Sequence, residues 1–167
     1  VAVNKYKLSV VTNPEGIADV TVYPKSDEYQ ENDEVTLTAA DKFGYNFVNW
    51  TDKNGTELST ESKFKYTVKE DQTLTANYKK VKTYALDVNV EGGAKDYMVT
   101  LSPAPEMVDG KKMYEEGTEV TLTATGNDII DFNNWSNGET TAEIKTTMKA
   151  DQAFTATFSA KDYIVAW

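Results

Sequence analysis

Apolar and polar positions alternate with period two along short runs of this chain. Tyr6-Lys-Leu-Ser-Val10, Val20-Thr-Val22, Val35-Thr-Leu-Thr-Ala39 and Phe64-Lys-Tyr-Thr-Val68 all read this way, which is the signature of strands with one buried face. Thr, Val and Tyr fill the runs, side chains that suit a pleated, half-buried surface. Turn residues stand between them: Asn13-Pro-Glu-Gly16, Lys53-Asn-Gly55, Glu91-Gly-Gly93 and Asn137-Gly138. No window of a dozen residues keeps the spacing of an amphipathic helix. The pattern predicts an all-β chain.

It also occurs twice. Glu34-Val-Thr-Leu-Thr-Ala39 recurs unchanged at Glu119–Ala124. In the same order Tyr6, Leu8 and Val10 match Tyr84, Leu86 and Val88, and Tyr29 matches Tyr114. Phe47-Val-Asn-Trp50 matches Phe132-Asn-Asn-Trp135, and Asp71-Gln72 matches Asp151-Gln152. Ordered duplication of this kind marks a tandem repeat. The expected domains are 1–80 and 81–160, with 161–167 either a C-terminal strand or the start of a following domain. Each copy reads as about six short strands joined mainly by hairpins, folded into a small β-sandwich-like or partly open barrel unit.

The apolar positions shared by the copies predict two cores. Leu8, Val35, Leu37, Phe47 and Leu74 pair with Leu86, Val120, Leu122, Phe132 and Phe154. Trp50 and Trp135 are the largest expected members. Their spacing of three from Phe47 and Phe132 conflicts with a flat strand, where residues three apart face opposite sides. Either a bulge turns each Trp inward or each Trp packs under a loop.

Composition narrows the chemistry. The chain has 167 residues with no Cys and no His, and all 17 basic residues are Lys. Disulfides, thiolate nucleophiles, imidazole bases and guanidinium clamps are therefore excluded. A net charge of −10 repels a phosphate backbone, which argues against nucleic acid. No apolar run is long enough to span a membrane as a helix. The chain opens on Val1 without a signal peptide, as expected of a mature protein or a piece of a larger one.

Carboxylates remain. Asp41, Asp52, Asp128 and Asp131 lie in expected loops, but a glycosidase pair needs two carboxyl groups fixed across a cleft, and units this small rarely supply one. They read as solubilising loop acids. Asp52-Lys-Asn-Gly55 and Asp109-Gly110 have some flavour of calcium loops without the twelve-residue ligand spacing, and hairpin turns explain both pairs. No cofactor is expected, with calcium as the one ion to consider.

The succession of signals resembles the divergent internalin-type B-repeat family, also called the Listeria–Bacteroides repeat. Tyr6-x-Leu-x-Val10, Pro24 with Tyr29, Glu34–Ala39, Gly44-Tyr-x-Phe-x-x-Trp50 and Asp71-Gln-x-x-Thr-Ala-x-Tyr78 carry the likeness in the first copy. Tyr114, Glu116–Ala124, Phe132-x-x-Trp135 and Asp151–Phe158 carry it in the second. Asp128-Ile-Ile-Asp131 stands where the family shows Gly-Tyr. The resemblance implies an extracellular or cell-surface bacterial protein whose repeats are non-catalytic modules, in arrays or beside domains that act on polysaccharides. It also offers a β-grasp-like unit with one helix as the alternative fold.

These readings favour a non-enzymatic accessory module that binds carbohydrate and is covalently linked to a secreted polysaccharide-degrading domain. Its ligand would be a polysaccharide, rather a neutral hemicellulose or glucan than a polyanion, given the acidic surface. The alternative is a structural spacer or adhesion stalk without a ligand. Rings present in one copy only are the candidate stacking platforms: Tyr23, Phe43, Tyr45 and Tyr97.

Overall fold

The computed structural model describes residues 2–162. The chain divides between Val81 and Lys82 into two compact units, each built almost wholly of strands. Residues 163–167 of the segment 161–167 lie outside the described residues. Lys161 is past the last strand, its N–H donating to the Ile129 carbonyl at 2.9 Å.

Among the described residues the first unit has nine strands: β1 Lys5–Tyr6, β2 Leu8–Asn13, β3 Val20–Tyr23, β4 Tyr29–Gln30, β5 Glu34–Ala39, β6 Tyr45–Thr51, β7 Glu57–Ser59, β8 Lys63–Thr67 and β9 Gln72–Lys80. One sheet has the order β2-β9-β6-β7, a second β3-β5-β8, and β1 pairs with β4. The second unit has β10 Thr83–Glu91, β11 Val99–Ser102, β12 Glu106–Val108, β13 Lys111–Glu115, β14 Glu119–Ala124, β15 Ile130–Trp135, β16 Glu143–Thr147 and β17 Gln152–Ala160. Its sheets run β12-β13-β10-β17-β15 and β11-β14-β16. None closes into a barrel.

Six strands per copy undercounts because several elements are too short to show a period. Two-residue β4, β7 at one sheet edge and β12 at another carry no alternation of their own. Hairpins also do not dominate as expected. The first long strand of each unit lies parallel to its last, β2 along β9 from Leu8↔Gln72 to Asn13↔Asn77 and β10 along β17 from Leu86↔Gln152 to Glu91↔Thr157. The helix of a β-grasp unit is absent from the described residues. The sole helical piece among them is a 3-10 turn, Asp96–Met98.

Alternation sets each core. On β5, Val35, Leu37 and Ala39 point inward while Glu34 stays exposed, and the identical run on β14 does the same with Val120, Leu122 and Ala124. From the other sheet Leu74, Ala76 and Tyr78 of β9 meet them, as Ala156 and Phe158 of β17 do in the second unit. Leu8, Phe47, Phe132 and Phe154 flank these cores half-buried. Val68 and Met148, just past β8 and β16, are fully buried additions.

A bulge resolves the Phe–Trp spacing. The register of β6 on β9 slips between Phe47 and Asn49, and that of β15 on β17 between Phe132 and Asn134. The extra residue, Val48 or Asn133, brings Phe and Trp to one face. Both Trp side chains have 0% exposure. Their rings lie 6.0 and 5.3 Å from Phe47 and Phe132, and their indole N–H groups donate to the Ser62 and Thr141 carbonyls.

Candidate functional site

The shared polar residues are spent on architecture. Between β1 and β2 the chain changes neighbours, from β4 to β9. At that step the Lys7 N–H has no strand partner, and the Asp71 carboxylate accepts it at 2.8 Å. The Gln72 N–H returns a bond to the Lys7 carbonyl at 3.0 Å. In the second unit Asp151 accepts the Ala85 N–H at 2.9 Å, where β10 passes from β13 to β17. The carboxylate thus supplies, at the same step in both units, the acceptor that the strand ladder leaves out.

The repeated Tyr residues behave alike. Tyr29 donates its hydroxyl to the Pro24 carbonyl at 2.7 Å, and Tyr114 to the Pro103 carbonyl at 2.6 Å. Burial raises the Tyr114 pKa. Tyr78 reaches the Ala40 carbonyl. Its pKa is raised by burial and, secondarily, by the Asp41 carboxylate. Tyr66 is also raised, by burial and then by Glu70 and Asp52, against a lowering hydrogen bond with Gln72.

The four rings present in one copy only do not form one platform. Tyr23 ends β3 with 77% exposure, opposite Thr36 of β5. Phe43 and Tyr45 share the turn after β5, beyond Ala39, which pairs with Val20 at the other end of β3. Tyr23 therefore stands at the opposite end of β3 from that turn. Phe43 and Tyr45 are half-buried, and Tyr45 packs against the core of the first unit. Gly44 between them takes φ 84°, a turn conformation that glycine adopts freely. Tyr97 belongs to the second unit, in the 3-10 turn, with 76% exposure over buried Met98.

Hollows on the first unit lie elsewhere. One of about 600 Å³ is lined by Lys5, Asp27, Tyr29 and Asp33 among others. Another of about 380 Å³ runs between the free edges of β2 and β3, over Leu8, Val10, Val20 and Val22. None of the four rings lines either one.

The acidic loops are equally occupied. Asp52 Oδ1 accepts the N–H groups of Asn54 and Thr56 at 2.9 and 3.0 Å, closing its own turn. Asp109 and Gly110 have φ of 50° and 78° and form the two-residue connection from β12 to β13. That geometry is the hairpin turn Asp-Gly favours. Asp131, expected in a loop, lies instead on β15 opposite Ser159 and pairs with Lys161 at 3.5 Å. Among the described residues no three His, Cys, Asp or Glu side chains are placed to hold a metal ion, and Asp41 and Asp52 belong to a different unit from Asp128 and Asp131.

Where Asp128-Ile-Ile-Asp131 departs from Gly-Tyr, a side chain replaces the glycine turn. Asn127 Oδ1 accepts the N–H groups of Ile129 and Ile130 at 2.9 and 3.0 Å, and the Asn127 N–H donates to the Ile130 carbonyl. Ile130 then enters the core where Tyr45 lies in the first copy.

Among solved structures the chain is similar to Streptococcal High Identity Repeats in Tandem (SHIRT) domains 3-4 from a cell surface protein. The identity is 11% over 94% of this chain and 98% of that one, with a TM-score of 0.30. No match was found among curated proteins. The model of the divergent InlB B-repeat domain matches residues 8–82 and again 97–162. Most of both units is thus covered, and the chain belongs to the divergent InlB B-repeat domain family, present in two tandem copies.

Proposed function

We propose that the chain is a non-catalytic spacer of a bacterial surface protein, in which each unit carries the polypeptide a fixed distance. The observation that carries this reading is the parallel pairing of first and last strands in both units. Parallel neighbours run the same way, so the chain comes in at one end of a unit and leaves at the opposite end. A strand of nine residues, the length of β9 and of β17, advances the chain by about 30 Å. Family membership supports placement at the cell surface and a role without catalysis.

Affinity electrophoresis of the whole chain in a panel of neutral and acidic polysaccharides, with and without calcium, tests the reading. A spacer migrates alike in every gel. Retardation in any one of them overturns it in favour of a carbohydrate-binding module. One observation favours that second reading: Tyr23 and Tyr97 are aromatic residues about three-quarters exposed, and stacking on a neutral sugar requires an exposed ring.

A further inference from the structure

A strand pair that carries the chain through a unit also decides how that unit meets tension. Suppose the chain is pulled from both ends of the first unit. β2 is drawn toward its N-terminal end and β9 toward its C-terminal end. The strands are adjacent and parallel over six residue pairs, so the pull lies along them and across their hydrogen bonds. All six rungs then share the load. Were the terminal strands antiparallel, both chain ends would leave from one end of the unit, and the rungs would open one at a time. β9 is also held on its other side by antiparallel β6, which meets the same sliding force.

Both ends of this ladder are tied by side chains. At the start, Asp71 accepts the Lys7 N–H and the Gln72 N–H bonds the Lys7 carbonyl. At the finish a row of amides crosses the sheet. Asn13 Nδ2 donates to Asn77 Oδ1 at 3.2 Å, Asn77 Nδ2 donates to Asn49 Oδ1 at 2.9 Å, and Asn49 Nδ2 donates to Glu57 at 2.8 Å. That row links β2, β9, β6 and β7. The second unit repeats the ladder over six pairs and the tie from Asp151 to Ala85.

We infer that the β2–β9 and β10–β17 ladders are force-bearing clamps, which adds resistance to tension to the spacer's reach. The inference rests on the spacer reading only for where the tension comes from. Single-molecule force spectroscopy on the whole chain tests it, and the lack of Cys makes two introduced Cys residues the sole attachment points. Lys5→Cys with Lys80→Cys loads the ladder in shear. Lys5→Cys with Glu70→Cys grips both strands at one end and peels them. With six rungs sharing the load in the first geometry, its unfolding force is expected to be roughly twofold or more that of the second. Equal forces overturn the clamp.

Asp71→Ala in the shear geometry is expected to lower the force. Val68→Ala, which thins the core without removing a hydrogen bond of the ladder, is the comparison. If Val68→Ala lowers the force as much as Asp71→Ala for the same loss of equilibrium stability, resistance follows general stability and the clamp is refuted. Polysaccharide retardation would remove the spacer reading and leave the force ratio untouched, so the two failures are distinguishable.

Discussion

Removing the Trp50 side chain tests the assignment of the repeated Trp residues to the cores. Trp50 has no exposed surface and lies against Phe47 and Phe64, with ring centroids 6.0 and 5.8 Å away. Its indole N–H reaches the Ser62 carbonyl at 3.3 Å, but that oxygen also accepts the Ala39 N–H at 2.9 Å. Losing the indole therefore orphans no buried acceptor, and the penalty is one of packing. For Trp50→Ala it is roughly 3–5 kcal/mol. A unit of this size has a total stability of only about 4–12 kcal/mol. With a urea dependence of about 1 kcal/mol per molar, the midpoint of the first unit falls by about 3 M or more. The assay is urea unfolding in a Trp167→Phe background. Circular dichroism follows the whole chain, and the remaining indole, Trp135, reports the second unit alone. The core containing Trp135 includes no residue of the first unit, so its transition stays where it was while that of the first unit moves. A loss below about 1 kcal/mol refutes the buried assignment, and an equal shift of the Trp135 transition refutes the separation of the cores.

Gly92→Ala would place a Cβ 1.7 Å from the Phe158 carbonyl oxygen at φ +84°. Backbone cannot step aside, so more than about 2 kcal/mol is lost, seen as a lower melting temperature for the second unit, whereas Gly16→Ala, with open space around it, costs about 1 kcal/mol from φ alone. Tyr78→Phe copies Phe158 and loses the bond to Ala40, for about 1 kcal/mol at neutral pH. Burial raises the Tyr78, Tyr66 and Tyr114 pKa values above 10.0, so the folded state favours the neutral hydroxyls. That stability is complete below pH 10 and is lost as pH climbs through the raised values; Tyr78→Phe flattens the alkaline loss in the first unit, read by denaturation at a series of pH values. Tyr23→Ala and Tyr97→Ala leave stability within about 0.5 kcal/mol by calorimetry. A larger loss would mean that these rings pack against the fold.

The duplicated period-two runs made the all-β character and the paired cores legible, because burial of one sheet face writes itself into every second residue. Val35, Leu37 and Ala39 point inward as the alternation requires, and so do Val120, Leu122 and Ala124. The Phe–Trp spacing reported a bulge indirectly, as a conflict with that alternation. Pairing partners were not legible. Nothing in Leu8–Asn13 distinguishes a strand that lies parallel to Gln72–Asn77 from one in a hairpin, since hydrogen bonding is done by backbone common to all residues. Asp71 and Asp151 announced themselves by recurring, while their partners, the Lys7 and Ala85 amides, are visible only once the strand changes neighbours. Selecting rings by their absence from the other copy finds what the shared fold does not require, and it is blind to exposure. It returned exposed Tyr23 and Tyr97 together with half-buried Phe43 and Tyr45.

Parallel pairing of first and last strands also governs how a unit is made. The Lys7–Asp71 and Asn13–Asn77 bonds each close a separation of 64 residues. A ladder that distant is entropically expensive to nucleate and slows folding relative to hairpin-built domains. β9 lies at the centre of its sheet, between β2 and β6. A nascent chain ending before Gln72 therefore holds both flanks of that sheet and not the strand that joins them, and Leu8–Asn13 lacks the strand it pairs with. Each unit must wait for its final strand, and then closes as a whole.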